Sequence, residues 1–132
     1  MKIKRDLINF NDGLALESGA KLDSFELMVE TYGELNNEKS NGILICHAFS
    51  GNHHAAGILE DSEEPGWWDN IIGPGKAVDT DKYFVVCSNN LGGCAGSSGP
   101  LSINPVNKEP YGKNFPGVSV IDWVNSQKLL SD

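Results

Sequence analysis

Two short, unbroken apolar runs constrain this chain more than anything else in it. Ile43-Leu44-Ile45-Cys46 and Tyr83-Phe84-Val85-Val86-Cys87 carry no polar residue at alternate positions. A strand with water on one face alternates, so unbroken runs predict strands covered on both faces. Roughly three dozen residues lie between them, enough for the crossover that joins parallel strands and for a helix inside it. Trp67 to Ile72 is the expected helical stretch, whole or as one turn, halted by Gly73-Pro74-Gly75.

The flanks extend the pattern. Residues 6–35 read as two β-segments joined by a turn. Asp12-Gly13 and Ser18-Gly19 punctuate the first; in the second, Phe25, Leu27 and Val29 alternate with Glu26, Met28 and Glu30. Residues 36–42 form a polar loop. From Ser88 to Pro116 the chain is rich in Gly, Ser, Asn and Pro, and so long an irregular stretch is functional or disordered. Ser119 and Asp122 then make a capping box for a helix with Ile121, Val124, Leu129 and Leu130 as its apolar side. The order β-β-β-(α)-β-loop-α belongs to the α/β class, a mixed sheet with helices on both faces, of which these residues are the opening part.

Composition narrows the function classes. A length of 132 residues suits a single domain. The 18 Asp and Glu against 10 Lys and Arg give a formal net charge of -8, which repels phosphate backbones and anionic lipid, so neither nucleic acid nor membrane is an expected partner. No apolar segment follows Met1-Lys2-Ile3-Lys4-Arg5-Asp6 as a signal peptide would require, and no apolar run reaches membrane-spanning length. Cys46, Cys87 and Cys94 lack paired spacing. Free buried thiols in a reducing cytoplasm are the expectation.

The chemistry concentrates after the first apolar run. A buried strand leading into His47, the small Ala48 and a loop is the arrangement that offers a backbone N–H to a developing oxyanion. Phe49 is the expected donor, with Ala48 as second choice; the alternative is that His47 ties the turn and Phe49 packs in a core. His53-His54 stand near His47, but no carboxylate or Cys pair completes a zinc set, so no metal is expected. Gly96-Ser97-Ser98-Gly99-Pro100 and Gly117-Val118-Ser119-Val120-Ile121 come near the nucleophile elbow G-x-S-x-G and lack its last glycine. No histidine follows His54, so a triad in the order Ser, Asp, His is not completed within these residues.

Longer segments then carry a resemblance. Asn41 to Gly57 (Asn-Gly-Ile-Leu-Ile-Cys-His-Ala-Phe-Ser-Gly-Asn-His-His-Ala-Ala-Gly) resembles the oxyanion-loop segment of homoserine O-acetyltransferases. Pro65 to Thr80, Asn89 to Pro100, Ser102 to Pro105, Pro110-Tyr111-Gly112, Phe115-Pro116 and the helix with Asp122 and Gln127-Lys128 continue the likeness in order. The resemblance implies an α/β-hydrolase fold and transfer of an acetyl group from acetyl-CoA to the hydroxyl of L-homoserine, on the route to methionine. It implies acyl-CoA as co-substrate with no further cofactor, a cytoplasmic homodimer, and a triad serine, aspartate and histidine in later sequence. Phe49 and Ala48 keep the oxyanion role, and Ser50, Gly51, Asn52, His53, His54 and Ala55 become the expected substrate-binding residues. These residues alone are expected to be inactive. The alternatives are an O-succinyltransferase acting on homoserine or serine, and a non-catalytic module binding a partner along an open sheet edge. An esterase is disfavoured, since it would leave the Gly66-Trp67-Trp68-Asp69 and Leu91-Gly92-Gly93-Cys94 segments unexplained.

Overall fold

A computed structural model describes residues 1–132. Eight strands and one α-helix follow in order: β1 (Ile3–Phe10), β2 (Leu14–Ala15), β3 (Lys21–Leu22), β4 (Phe25–Tyr32), β5 (Gly42–Ile45), β6 (Ile72–Gly73), β7 (Val78–Asp79), β8 (Phe84–Ser88) and α1 (Val120–Ser131). The main sheet has the order β1-β4-β8-β5. β4 runs antiparallel to β8, from Val29 opposite Ser88 to Tyr32 opposite Val85. β5 runs parallel to β8, with Ile43 opposite Val85 and Ile45 opposite Cys87. The two apolar runs are therefore adjacent parallel strands, joined by the crossover their spacing predicts. No helix is long and apolar enough to cross a membrane.

Contacts gather into two compact units, residues 1–6 with 29–88 and residues 7–28 with 89–132. In the first, Tyr32, Ile45, Ala55, Ala56, Ile72 and Val85 form the core. Ile43 and Ile45 face that core, whereas Leu44, on the opposite side of β5, stays 44% exposed. Of the expected two-sided cover of β5 these residues supply one face, where the crossover packs, and among them β5 pairs with β8 alone. Nor does the crossover hold a full helix. Asp69 N–H bonds Gly66 O, and the Ile71 and Ile72 N–H groups both reach Trp68 O, which makes one turn. Gly73, at φ 154°, then enters β6 in a conformation open to glycine. Cys87 is buried, but Cys46 and Cys94 are exposed, contrary to the expectation of three buried thiols.

In the second unit Phe10 stacks on Phe25 at 4.7 Å between ring centroids, and Leu22, Leu27 and Leu91 are buried. Each such side chain contributes roughly 1.5–3 kcal/mol by leaving water. The expected capping box is present: Ser119 Oγ accepts from Asp122 N–H, and Asp122 accepts from Ser119 N–H at 2.9 Å. The expected apolar side of α1 is not what the helix buries. Ile121, Val124 and Leu129 are exposed, while Asp122, Ser126 and Gln127 are buried. The neighbouring loops present polar backbone and amide groups, so polar side chains must meet them. Asp122 accepts the Glu17 N–H at 2.9 Å, and Gln127 Nε2 donates to Asn90 Oδ1 at 3.2 Å.

Candidate functional site

At the C-terminal end of β5 the chain leaves the sheet as a tight turn. Gly51 N–H donates to Ala48 O at 2.8 Å, which puts Phe49 and Ser50 at the corner. His47 is buried, and its Nδ1 lies 2.7 Å from the same carbonyl, so that nitrogen carries the proton. Phe49 is 90% exposed. Its side chain packs in no core, which removes the alternative reading of that residue. Ala48, Ser50 and Asn52 are also exposed, and Gly51 is half-buried.

The next residues are held on two sides. Tyr32 Oη accepts the N–H groups of Ala55 at 2.8 Å and Ala56 at 3.2 Å. From the other side, Trp67 N–H donates to His54 O at 3.2 Å and Trp68 N–H to Ala55 O at 2.7 Å. Gly66 lies so close to the Ala55-Ala56 backbone that a Cβ there would collide with it. Gly57 N–H donates to Asp69 Oδ1 at 2.7 Å. That N–H and the Lys76 ammonium hold the Asp69 carboxyl below its ordinary range. Trp67 Nε1 donates to Asn52 O at 3.0 Å. The indole pair is therefore partly a loop brace, although both rings remain about two-fifths exposed.

Beneath this segment sits a carboxylate wholly shielded from water. Glu30 on β4 accepts from Arg5 Nε at 2.9 Å, from Tyr32 Oη at 2.5 Å and from His54 Nδ1 at 2.9 Å, with His53 Nε2 at 3.7 Å. Arg5 also reaches Asp61 at 2.9 Å. Burial pushes the Tyr32 phenol far above its usual range, and the bond to Glu30 adds to the shift. Burial likewise pulls the His53 imidazole down, against the pull of Glu30. His53 Nδ1 has no hydrogen-bond partner although it is buried. Of the expected substrate-binding residues, the structure leaves Ser50 and Asn52 on the surface and brings His53, His54 and Ala55 onto Glu30 and Tyr32. Arg5, Glu30 and Tyr32 were missed by the sequence reading. The available signal was Glu-x-Tyr, two residues that share one face of a strand.

The near-miss serines have structural partners. Ser97 Oγ donates to Asn89 O at 2.6 Å and accepts from Met28 N–H at 3.0 Å. Ser98 Oγ accepts from Glu26 N–H at 2.8 Å, and Ser119 caps α1. The Cys87 thiol is pushed up to about 12, chiefly by burial, so it is no nucleophile. A cleft of about 340 Å³, lined by Gly92, Gly93, Cys94, Ser97 and Leu101 among others, has no charged side chain in its wall.

No family profile matches the chain. A homoserine O-succinyltransferase of Saccharophagus degradans is 60% identical over 127 residues, 96% of this chain and 33% of its own. Among solved structures, the homoserine O-acetyltransferase of Bacillus anthracis superposes with a TM-score of 0.88 at 40% identity, over 98% of this chain and 36% of that one. Esterase E22 does so with the same TM-score and identity, over 98% of this chain and 37% of its own.

Strand order, parallel crossover and the turn after β5 define a protein of the α/β-hydrolase fold. Within that class its sequence and fold are similar to those of the homoserine O-acyltransferases. It spans about a third of the length of the curated relatives it matches.

Proposed function

We propose that this chain supplies the oxyanion-loop third of an enzyme that transfers an acyl group from acyl-CoA to the hydroxyl of L-homoserine. The single observation that carries this reading is the exposed Ala48–Gly51 turn at the carboxyl end of β5, beside parallel β8, in a chain 60% identical to a homoserine acyltransferase. Ligands of open α/β sheets bind outside the carboxyl ends of such strands. The Phe49 N–H, with Ala48 as second choice, supplies one oxyanion donor; the second comes from the residue after the serine nucleophile.

That serine attacks the thioester carbonyl, the C–S bond breaks and CoA leaves with a proton. The homoserine oxygen then attacks the acyl-serine, releasing O-acylhomoserine and restoring the serine hydroxyl. Both tetrahedral intermediates place charge on the same oxygen, so one N–H serves both steps. The reaction needs no cofactor besides the acyl-CoA co-substrate. For the acyl group, identity favours succinyl: the 60% relative is named for succinyl and the 40% structure for acetyl. This reverses the order of donors that the sequence reading preferred.

The test is a chimera in which residues 1–132 replace the matching stretch of the Saccharophagus degradans relative. CoA release is followed with succinyl-CoA or acetyl-CoA and with homoserine or serine. The expected result is at least tenfold faster release with succinyl-CoA and homoserine. Faster release with acetyl-CoA overturns the donor, and release with serine alone overturns the acceptor. The likeness to esterase E22 favours one second reading, in which water takes the acyl group. Ester hydrolysis without transfer to homoserine would establish that reading.

A further inference from the structure

We propose that Glu30 is a positioning residue for acyl transfer, acting through Tyr32 and His54 to hold the oxyanion turn where the acyl oxygen forms. The inference rests on the functional reading above for the identity of the reaction, but its geometry is independent of which acyl group is moved.

A carboxylate with no solvent exposure needs a reason to be there. Apolar side chains in place of a whole buried ion pair are often neutral or stabilising, so such a pair is weak evidence for a stabilising role alone. Glu30 is nonetheless fully buried, and three of its four close partners lie on one short path toward the turn. It accepts the Tyr32 hydroxyl proton at 2.5 Å, which turns the phenol oxygen's lone pairs toward the N–H groups of Ala55 and Ala56. It accepts the His54 Nδ1 proton at 2.9 Å and thereby sets that ring's tautomer. His53 Nε2 approaches it at 3.7 Å. Arg5 balances the charge from β1.

Every one of these residues except Arg5 and Tyr32 lies in the few positions that follow the turn. The pairing of β5 with β8 fixes the residues before the turn, and the Glu30 network fixes those after it. The corner at Phe49 and Ser50 is short and makes its own hydrogen bond, so two fixed ends determine where it points. Preorganised donors act only if they already sit at the developing charge, and a displacement of about 1 Å can lower a rate a hundredfold. Glu30 touches no substrate on this account; it acts on the donor's position.

The experiment uses the chimera with Glu30→Gln and, separately, Tyr32→Phe. Tyr32→Phe keeps the ring and removes only the hydroxyl. The expected result is a retained cooperative melt, exchange of the Ala55 and Ala56 amide protons at least tenfold faster, and kcat lowered about ten- to a hundredfold with KM within twofold of the parent. If Glu30→Gln fails to fold, Tyr32→Phe carries the test alone. Unchanged kcat with faster amide exchange would overturn the proposal and leave a stabilising network. Unchanged exchange would overturn it too. A parent that hydrolyses p-nitrophenyl esters but transfers nothing to homoserine sinks the functional reading alone, and the kcat comparison is then made on the ester. A parent inactive on both substrates sinks both.

Discussion

Two stretches of one loop, separated only by Asn52, are built by opposite means. Ala48, Phe49 and Ser50 are exposed, and the corner is closed by the Gly51-to-Ala48 bond with the His47 ring on the same carbonyl. His53–Gly57 is buried or half-buried and held from two sides by Tyr32 and the 66–69 turn, over a buried carboxylate. The contrast is between a corner that closes on itself at the surface and a neighbouring stretch whose position is fixed by side chains from elsewhere in the chain. The proposed function puts stability in the second stretch and chemistry in the first, so substitutions should separate the two.

The largest stability effect is expected at the anchor. Glu30→Gln leaves Arg5 without its buried partner and should destabilise by about 3 kcal/mol, read as a fall in the denaturation midpoint. Tyr32→Phe strips the acceptor from the Ala55 and Ala56 N–H groups and should lose about 2 kcal/mol. A smaller loss is expected on acidification. The folded-state pKa of His53 lies below its unfolded value near 6.5, so the unfolded chain binds the proton first. Its contribution is complete above about pH 6.5 and declines as the pH falls from there toward the folded pKa, by at most about 1.4 kcal/mol per pH unit. Melts at pH 7.5 and 5.5 should differ less for His53→Gln than for the parent. The depressed carboxyls of Asp69, Asp79 and Asp122 lose their contributions only below about pH 4, outside that window. The smallest effect belongs to the corner: Ser50→Ala should move stability by less than about 0.5 kcal/mol. A drop as large as that of Tyr32→Phe would erase the distinction between the two stretches.

The sequence was most legible where one residue pattern admits one structure. The runs at Ile43 and Tyr83 became neighbouring parallel strands, and Ser119 with Asp122 capped α1. It was least legible where tertiary partners overrode pattern. Ile121 and Val124 look like the buried side of α1, yet Asp122 and Gln127 are buried because loop amides required hydrogen bonds there. Glu30 falls on the polar side of an alternating strand, and nothing local shows that Arg5 and the two histidines would enclose it. Ala48 and Phe49 are proposed from local sequence, because an oxyanion site needs a small residue and a loop after a buried strand. The network beside them was not legible, since Arg5, Glu30 and Tyr32 come from β1 and β4, far away in sequence.

The most direct test of the central claim is kcat of the chimera carrying Phe49→Pro, set beside Phe49→Ala. Phe49 holds the second position of its turn, where proline is favoured, so Phe49→Pro removes the N–H while the turn remains. The account predicts a fall in kcat of about a hundred- to a thousandfold for Phe49→Pro, with KM little changed. Phe49→Ala, which keeps the N–H and discards an exposed ring, should stay within about tenfold of the parent, far above the proline variant. Equal activity of Phe49→Pro and the parent would contradict the claim that this backbone N–H receives the oxyanion.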